Sequence, residues 1–376
     1  MKSISIFFII LLFFCFPSFA QSIQPWWYTM EQGKKYFREG SYGDALLAFE
    51  DARRQRRVMY ERMEKDLIEM MSLTEVRRLG DSLELVDDFA RQRRYDNAVA
   101  ALEEIYYRFP VESFSNSADA ALESLDKLKN YPEAEYWIGE TYRAEGELAL
   151  AISQYQKAHD MRQILESPGF DVELLYKIAG IRKVRQEYTE MERILLLILN
   201  GDTLWSADNN NGRAAGESFA RNAMTRTLDN DGISRFLTLY RYNNSQVEQA
   251  HRQLGLYYYA TGRHSRAAEH LMFAFLIQNS IIIQEVIRNE YDFSFTTLDA
   301  LSSYINRGPL LTEYAQNVEY YKTAYYLGSS LFGSGKASSA RGLWTFLANQ
   351  TTAGEWRSRA RSMLLEPQVE RVVEMP

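Results

Sequence analysis

Side chains that could catalyse a reaction or bind a metal are sparse in this sequence. Its four histidines are His159, His251, His264 and His270. His264 and His270 lie six residues apart, whereas two zinc-binding histidines on one helix face typically lie about four residues apart. We therefore expect structural or surface roles for all four and no metal site formed by them.

Two acidic loops, ahead of Gly212 and Gly232, contain the residue types of a calcium site. In a calcium loop between two helices, glycine occupies roughly the sixth position and glutamate the twelfth. Counting back from each glycine places Ala207 or Thr227 first, and the second loop then has Thr238 where glutamate is required. Both loops fail the pattern, and we expect simple turns between helices.

Other catalytic signatures are also missing from the sequence. It has no glycine-rich phosphate loop, no G-x-G-x-x-G and no G-x-S-x-G turn. An enzyme of a helical-toroid class would need a carboxylate cluster in a pocket, and no spacing here demands one. We predict a non-enzymatic protein with no cofactor and no bound metal.

Residues 1–20 have the features of a secretory signal peptide. Lys2 precedes an apolar run over residues 4–16, and Ser18 and Ala20 supply the small side chains of a cleavage site before Gln21. The run is shorter than the roughly 20 residues that span a bilayer, which disfavours the alternative of an uncleaved anchor. We predict export to the periplasm, or secretion.

The single cysteine, Cys15, lies inside this segment. Lipidation of Cys15 is an alternative, but Phe13 and Phe14 stand where small residues are expected just before a lipidated cysteine. A mature chain beginning at Gln21 would contain no cysteine. Without disulfides, such an exported protein must be stabilised by its hydrophobic core.

Composition narrows the class of partner. The 376 residues are 46% hydrophobic and 25% charged, with a formal net charge of −7. This balance does not favour nucleic acid, which requires a basic face. Arginines at positions 53, 54, 56 and 57 form a cluster, which we interpret as a solvated helix face. After the signal peptide we expect no integral membrane span.

A recurring pattern of small, aromatic and glycine residues is the most informative feature. Ordinary amphipathic helices would give a 3.6-residue period but not a fixed register of this kind. Four clear copies keep the same intervals: Gly33, Tyr36, Gly40, Tyr42, Ala45, Phe49 and Ala52; Gly139, Tyr142, Gly146, Leu148, Ala151, Tyr155 and Ala158; Gly255, Tyr258, Gly262, His264, Ala267, Leu271 and Ala274; and Gly328, Leu331, Gly335, Ala337, Ala340, Trp344 and Leu347. Two weaker copies are Val86, Phe89, Tyr95, Ala98, Leu102 and Ile105, and Ala179, Tyr188, Met191, Leu195 and Ile198.

This pattern resembles the tetratricopeptide repeat, a pair of antiparallel helices. The resemblance implies an all-α fold, a right-handed α–α superhelix (a solenoid) of helical hairpins that stack in chain order. We predict an array over residues 21–365 and a loose C-terminal tail over 366–376. Clear repeats lie near residues 27–52, 133–158, 249–274 and 322–347, and degenerate repeats near 80–110, 173–198, 212–242 and 280–315.

Each position of the pattern has a physical role. Small residues let the two helices approach closely, and the middle glycine ends the first helix in a left-handed conformation. The interval of 53 residues to the second copy predicts a long second helix, from Tyr42 to about Glu75. One face of its later part carries Met59, Met63, Leu67 and Met70. We favour packing on the next hairpin, with a partner-binding face as the alternative.

The resemblance also assigns partner-binding positions, because the first helix of each tetratricopeptide hairpin lines a concave groove. Lys34, Asp87 and Glu140 stand where chaperone-type members have an asparagine that grips a C-terminal carboxylate, which argues against that ligand. Aromatic and arginine side chains among the assigned positions suit protein recognition. These positions are Met30, Lys34, Phe37, Arg38, Tyr136, Glu140, Arg143, Arg252, Leu256, Tyr259, Tyr325, Ser329 and Phe332.

These features predict a scaffold or adaptor that binds other proteins in a periplasmic or envelope assembly. One such assembly, by analogy of fold, is the collar of a spirochaete periplasmic flagellum. The alternative is a periplasmic helical-repeat protein that binds a small or hydrophobic ligand, for example beside a transporter. A closed pore lined by aromatic side chains would favour the alternative, and an open groove the adaptor.

Overall fold

The computed structural model of the protein describes residues 25–72, 74–108, 124–165, 167–202 and 214–371. Within these ranges every regular element is a helix and no strand occurs, which confirms the all-α prediction for this part of the chain. The predicted signal peptide, Cys15 and the acidic residues before Gly212 lie outside the described residues. The chain divides into two compact units, residues 1–174 and 175–376.

The helices of both units are numbered in chain order. Unit 1 contains α1 (Trp26–Arg38), α2 (Tyr42–Ser72), α3 (Thr74–Arg91), α4 (Tyr95–Arg108), α5 (Pro132–Glu145) and α6 (Leu148–Asp160). The unit boundary falls within α7 (Phe170–Val184). Unit 2 continues with α8 (Tyr188–Asn200), α9 (Ala214–Leu239), α10 (Ser245–Ala260), α11 (His264–Asn289), α12 (Leu298–Ile305), α13 (Pro309–Asn317), α14 (Tyr320–Gly333), α15 (Ala337–Asn349) and α16 (Glu355–Leu365).

The four clear sequence copies form the same tight helical hairpin. In each, the first glycine faces a large, fully buried side chain sixteen residues later. A Cβ at the glycine would overlap that side chain and push the two helices apart, so the close approach requires glycine. The distances from such a Cβ are 2.5 Å for Gly33 and Phe49, 2.7 Å for Gly139 and Tyr155, 2.5 Å for Gly255 and Leu271, and 2.9 Å for Gly328 and Trp344.

The turn between the helices is also the same in each copy. Its glycine is left-handed, with φ of 78° at Gly40, 84° at Gly146, 74° at Gly262 and 86° at Gly335. In both weaker copies a non-glycine residue occupies this position, Arg93 with φ of 59° and Gln186 with φ of 60°. The hydrogen bonds around it are retained, since Arg94 N–H donates to the Phe89 carbonyl and Glu187 N–H to the Arg182 carbonyl, each at 2.8 Å.

The core of unit 2 is organised around α11. This helix packs against α10 and α14, and α14 in turn packs against α15. Among the described residues, α11 is the one helix long and apolar enough to span a membrane by length and composition, and 78% of its most apolar window is buried inside the protein. Core burial is therefore the environment that the structure gives these apolar side chains.

The segments predicted as the last two degenerate repeats have less regular structures. α9 contains Gly232 in an extended left-handed conformation (φ 79°, ψ 174°), which breaks the helix direction there. Residues 280–289 continue α11, and two short helices, α12 and α13, follow. Pro309 begins α13 directly after Gly308, and α16 supplies a closing helix at the end of unit 2.

Candidate protein-binding surfaces

The predicted partner-binding residues of the first copy divide between core and surface. Met30 is 2% exposed and belongs to the hydrophobic core of unit 1. Phe37 packs partly against the ring of Trp137, at 5.5 Å between centroids, and the ammonium of Lys34 lies 5.8 Å from the same ring. Arg38 is exposed at the end of α1. Of these four predicted residues, only Arg38 and parts of Lys34 and Phe37 are thus accessible.

The arginine cluster on α2 is not the wholly solvated face that we predicted. Arg56 is buried, its Nε donates to the Leu128 carbonyl at 2.9 Å, and its guanidinium lies 4.9 Å from the ring of Trp26. Arg53 pairs with Glu135 of α5 at 2.7 Å. A carbonyl acceptor and an aromatic face compensate the loss of water around Arg56. These two arginines therefore attach α2 to its neighbours, while the other two are exposed.

The middle of α2 presents apolar side chains to solvent. α2 has 31 residues and α1 has 13, so α2 continues past its antiparallel partner. On this continuation Val58 is 56% exposed, Met59 38% and Met63 37%. We call these three residues the α2 stripe; the side chains of Leu67 and Met70 lie outside the described residues. Contrary to the favoured interpretation, Met59 and Met63 are at the surface. Contiguous exposed apolar patches, in contrast to single exposed residues, mark interaction sites.

In the copy that begins at Gly139, the predicted binding residues make contacts within unit 1. Glu140 is buried and accepts hydrogen bonds from the Tyr155 hydroxyl and from Arg143, both at 2.6 Å. The ring of Tyr136 lies 4.8 Å from that of Phe170. Burial, reinforced by the charge of Glu140, raises the pKa of both tyrosine hydroxyls, so they remain protonated donors. Of the three predicted residues in this copy, Arg143 is the most open to a partner.

The copy that begins at Gly255 contributes to a charged cluster inside unit 2. Arg252 donates to Glu248 at 3.1 Å and also pairs with Glu319. Burial raises the pKa of Glu248, although Arg252 opposes this shift. The other two predicted residues of the copy, Leu256 and Tyr259, are buried. These contacts hold α10 against the start of α14, so the three residues have structural partners of their own.

The last copy lies beneath the C-terminal tail. Tyr325 and Ser329 have no exposed surface, and Phe332 packs partly against Trp344. Glu370 accepts a hydrogen bond from the Tyr325 hydroxyl at 2.7 Å and pairs with Arg359 at 2.5 Å. Residues 367–371 have no regular secondary structure, and residues 372–376 lie outside the described part.

Two histidines form a buried pair between α10 and α11. The Nδ1 atoms of His251 and His270 are 3.1 Å apart, so one ring donates and the other accepts. Burial lowers the pKa of both, to about 3 for His251, with the positive charge of Arg221 adding to the shift. Both rings are neutral at pH 7. In the described part of the chain, no group of three or more His, Cys, Asp or Glu side chains is placed to hold a metal ion.

Comparison with known proteins adds one relative. No protein-family model matches the sequence. The chain is similar to an uncharacterized protein of Treponema pallidum (strain Nichols), with 25% identity over 335 residues. The alignment covers 89% of this chain and 88% of the relative. The similarity therefore extends across both units and is not confined to one repeat.

Sequence reasoning missed the ion pair that joins the tail to α16. Arg359 and Glu370 lie outside the repeat pattern, so their spacing carries no repeat signal. The arginine was detectable only as a basic side chain on the closing helix, and the glutamate only as an acidic residue in a polar terminus. Their pairing depends on the folding back of the tail, which no local pattern specifies.

Proposed function

We propose that this chain is a non-enzymatic scaffold or adaptor that binds other proteins. The observation that carries the proposal is the α2 stripe, an apolar surface on a helix that is exposed over most of residues 57–66. Trp27 and Tyr28, 55% and 37% exposed, add apolar area on the first turn of α1. Burying methionine and aromatic side chains is a major source of affinity at protein interfaces.

We further propose that the hairpins are tetratricopeptide-like and stack into a right-handed superhelix. The repeated glycine contact and the repeated left-handed turn support this interpretation. Both features set the helix separation and turn geometry within a hairpin, and stacked hairpins of equal geometry produce a regular array. Such arrays display side chains along extended surfaces, which suits an adaptor.

The location that we propose is the periplasm, after cleavage before Gln21. The composition of residues 1–20 supports export, and the relative comes from Treponema pallidum. A collar of the spirochaete periplasmic flagellum is the specific assembly that we propose, by analogy of fold. Mass spectrometry of the protein from an envelope fraction should give an N-terminus at Gln21, and retention of residues 1–20 would contradict the cleavage.

Partner capture from the cell envelope tests the α2 stripe. The test variant replaces Met59 and Met63 with glutamine, which keeps side-chain length and helix propensity but removes apolar character. The matched control replaces the exposed Arg62 and Lys65, on the same stretch of helix, with glutamine. Crosslinked partners are captured on each protein and quantified by mass spectrometry against the wild type.

Loss of the two methionine contacts that a bound partner would bury should reduce the recovery of specific partners by about tenfold or more. The Arg62→Gln, Lys65→Gln control should retain wild-type recovery, because it alters charge but leaves the stripe intact. Equal recovery with the methionine variant and the wild type would show that the α2 stripe does not bind partners, and the scaffold proposal would lose its main support.

A further inference from the structure

The tail after α16 meets unit 2 through the hydrogen bonds of the Glu370 side chain. Glu366 N–H completes the last turn of α16 by donating to the Ser362 carbonyl at 2.8 Å. Beyond it, residues 367–371 form no main-chain hydrogen bond with the main chain of other described residues. The side chains of Gln368, Val369 and Arg371 are exposed, whereas Pro367 and Glu370 are partly buried. Of these residues, Glu370 hydrogen-bonds to Tyr325 and Arg359.

The site that receives Glu370 is built by the folded helices. The Arg359 guanidinium on α16 lies 4.8 Å from the ring of Trp356 and 4.7 Å from that of Tyr325 on α14. The rings of Trp356 and Tyr325 are themselves 5.4 Å apart. Aromatic faces hold an arginine in place by cation–π attraction. The receptor for a carboxylate is therefore organised by α14 and α16, and a carboxylate there makes charge-assisted hydrogen bonds.

The tail covers positions that the tetratricopeptide resemblance assigned to partner binding. The Tyr259 hydroxyl lies beside Ser329 and the main chain of Glu370, although neither contact meets hydrogen-bond geometry. Burial, with the charge of Glu370 as a smaller cause, raises the pKa of Tyr259 to about 12. Tyr259, Ser329 and Tyr325 thus lie next to residues of the tail, which has no regular secondary structure.

We propose that residues 366–371 are an internal ligand, and that the surface of Tyr259, Tyr325 and Arg359 binds an extended acidic segment of a partner protein in the tail's place. The occupant itself defines the chemistry, because a segment without regular secondary structure that presents one carboxylate is what the site holds. A competitor that offers the same carboxylate can replace Glu370 at Tyr325 and Arg359. This inference rests on the proposed adaptor function and adds a second, acidic class of partner segment to it.

Binding of a labelled peptide to the full-length chain tests the inference. The probe spans Leu365–Arg371, is acetylated and amidated, and is measured by fluorescence anisotropy. The receptors are the wild type, Glu370→Gln and the control Glu366→Gln, which makes the same change at an exposed tail position. Because Glu370→Gln weakens the internal occupant, the probe should bind this variant at least about tenfold more tightly than it binds the wild type or the control.

Two further changes separate recognition from nonspecific adhesion. A probe with glutamine in place of Glu370 should bind the Glu370→Gln chain about tenfold more weakly than the original probe does. Tyr325→Phe, added to Glu370→Gln, removes one hydroxyl donor without removing the ring and should also weaken binding. Circular dichroism confirms that each variant is folded. Equal affinity for all three receptors, absence of binding to Glu370→Gln, or indifference to the carboxylate would each overturn the inference.

The experiment is independent of the α2 stripe. It uses only the purified chain and a synthetic peptide, so the Met59→Gln, Met63→Gln substitutions introduced into Glu370→Gln should leave peptide affinity unchanged. Failure of partner capture through α2 and failure of peptide binding at α14 and α16 are therefore distinguishable results.

Discussion

Two long helices, α2 and α11, begin in the same way and end in opposite environments. Each is the second helix of a hairpin with the same glycine contact, and each continues past its shorter partner. The continuation of α2 exposes its apolar stripe, whereas Ile282, Ile283 and Val286 on α11 are buried. The segment between α9 and α10 lies beside the continuation of α11, where Tyr242 N–H donates to the Ser280 hydroxyl at 2.9 Å. A helix continuation thus becomes core only where other segments of the chain cover it.

The largest expected effect separates the two continuations directly. Ile282→Ala removes a fully buried side chain from α11 and should lower the free energy of unfolding by about 2–5 kcal/mol. Met63→Ala on α2 changes an exposed side chain and should stay within about 0.5 kcal/mol of the wild type. Urea unfolding followed by circular dichroism measures both. Similar losses in the free energy of unfolding at the two sites would contradict the assignment of α11 to the core and of the α2 stripe to the surface.

A smaller effect concerns acid, because the α10–α11 hairpin buries two histidines and the α1–α2 hairpin contains none. Burial lowers the pKa of His251 and His270 below their unfolded value. The contribution of the neutral pair to the free energy of unfolding is therefore fully present above about pH 6.5. It is lost as the pH falls, because the histidines of the unfolded chain bind protons first. At pH 5 the loss should be roughly 2 kcal/mol for each histidine.

Urea unfolding at pH 7.5 and pH 5 tests this difference between the hairpins. The double change His251→Gln, His270→Gln should remove most of the pH dependence of unit 2. His159→Gln, which removes a partly exposed histidine of unit 1, should leave that dependence in place. An unaltered pH dependence in the double variant would assign the effect to other groups.

The smallest effect tests what the two hairpins share. Gly33→Ala on α1 and Gly255→Ala on α10 each place a Cβ 2.5 Å from the opposing side chain and should each cost about 1–3 kcal/mol. Gly43→Ala is the control, since a Cβ there meets nothing within 4 Å, and it should stabilise α2 by up to about 1 kcal/mol. Unequal costs at Gly33 and Gly255, measured by thermal unfolding, would mean that the hairpins are not equivalent.

Local rules made part of this fold predictable from sequence. The hairpins at Gly40, Gly146, Gly262 and Gly335 follow from glycine's access to left-handed φ and from small residues at fixed spacing. The turns at Arg93 and Gln186 were less evident, because their neighbours impose a conformation that these residue types disfavour. The repeat pattern thus identified where hairpins lie, even where its glycine had been replaced.

The binding surfaces were less predictable, because they depend on which segments cover which helices. Met30 is buried in a core that includes Tyr131 and Ile138, which lie far later in the sequence. Tyr325 is buried in part by Glu370, 45 residues later. Whether Met59 is core or surface depends on segments that follow α2, and its residue type suits both. Spacing within one helix contains none of this information.

The length of α2 has a consequence for any complex formed on it. A helix rises about 1.5 Å per residue, so the 31 residues of α2 extend over roughly 46 Å. The stripe sits on the part that projects beyond α1, and a bound partner would stand away from the hairpin at a distance fixed by the helix. α2 would therefore set the distance between a bound partner and the hairpin, as well as providing the surface that the partner contacts. Inserting about seven residues between Arg57 and Val58 would shift the docking point by about 10 Å without rotating it far around the axis.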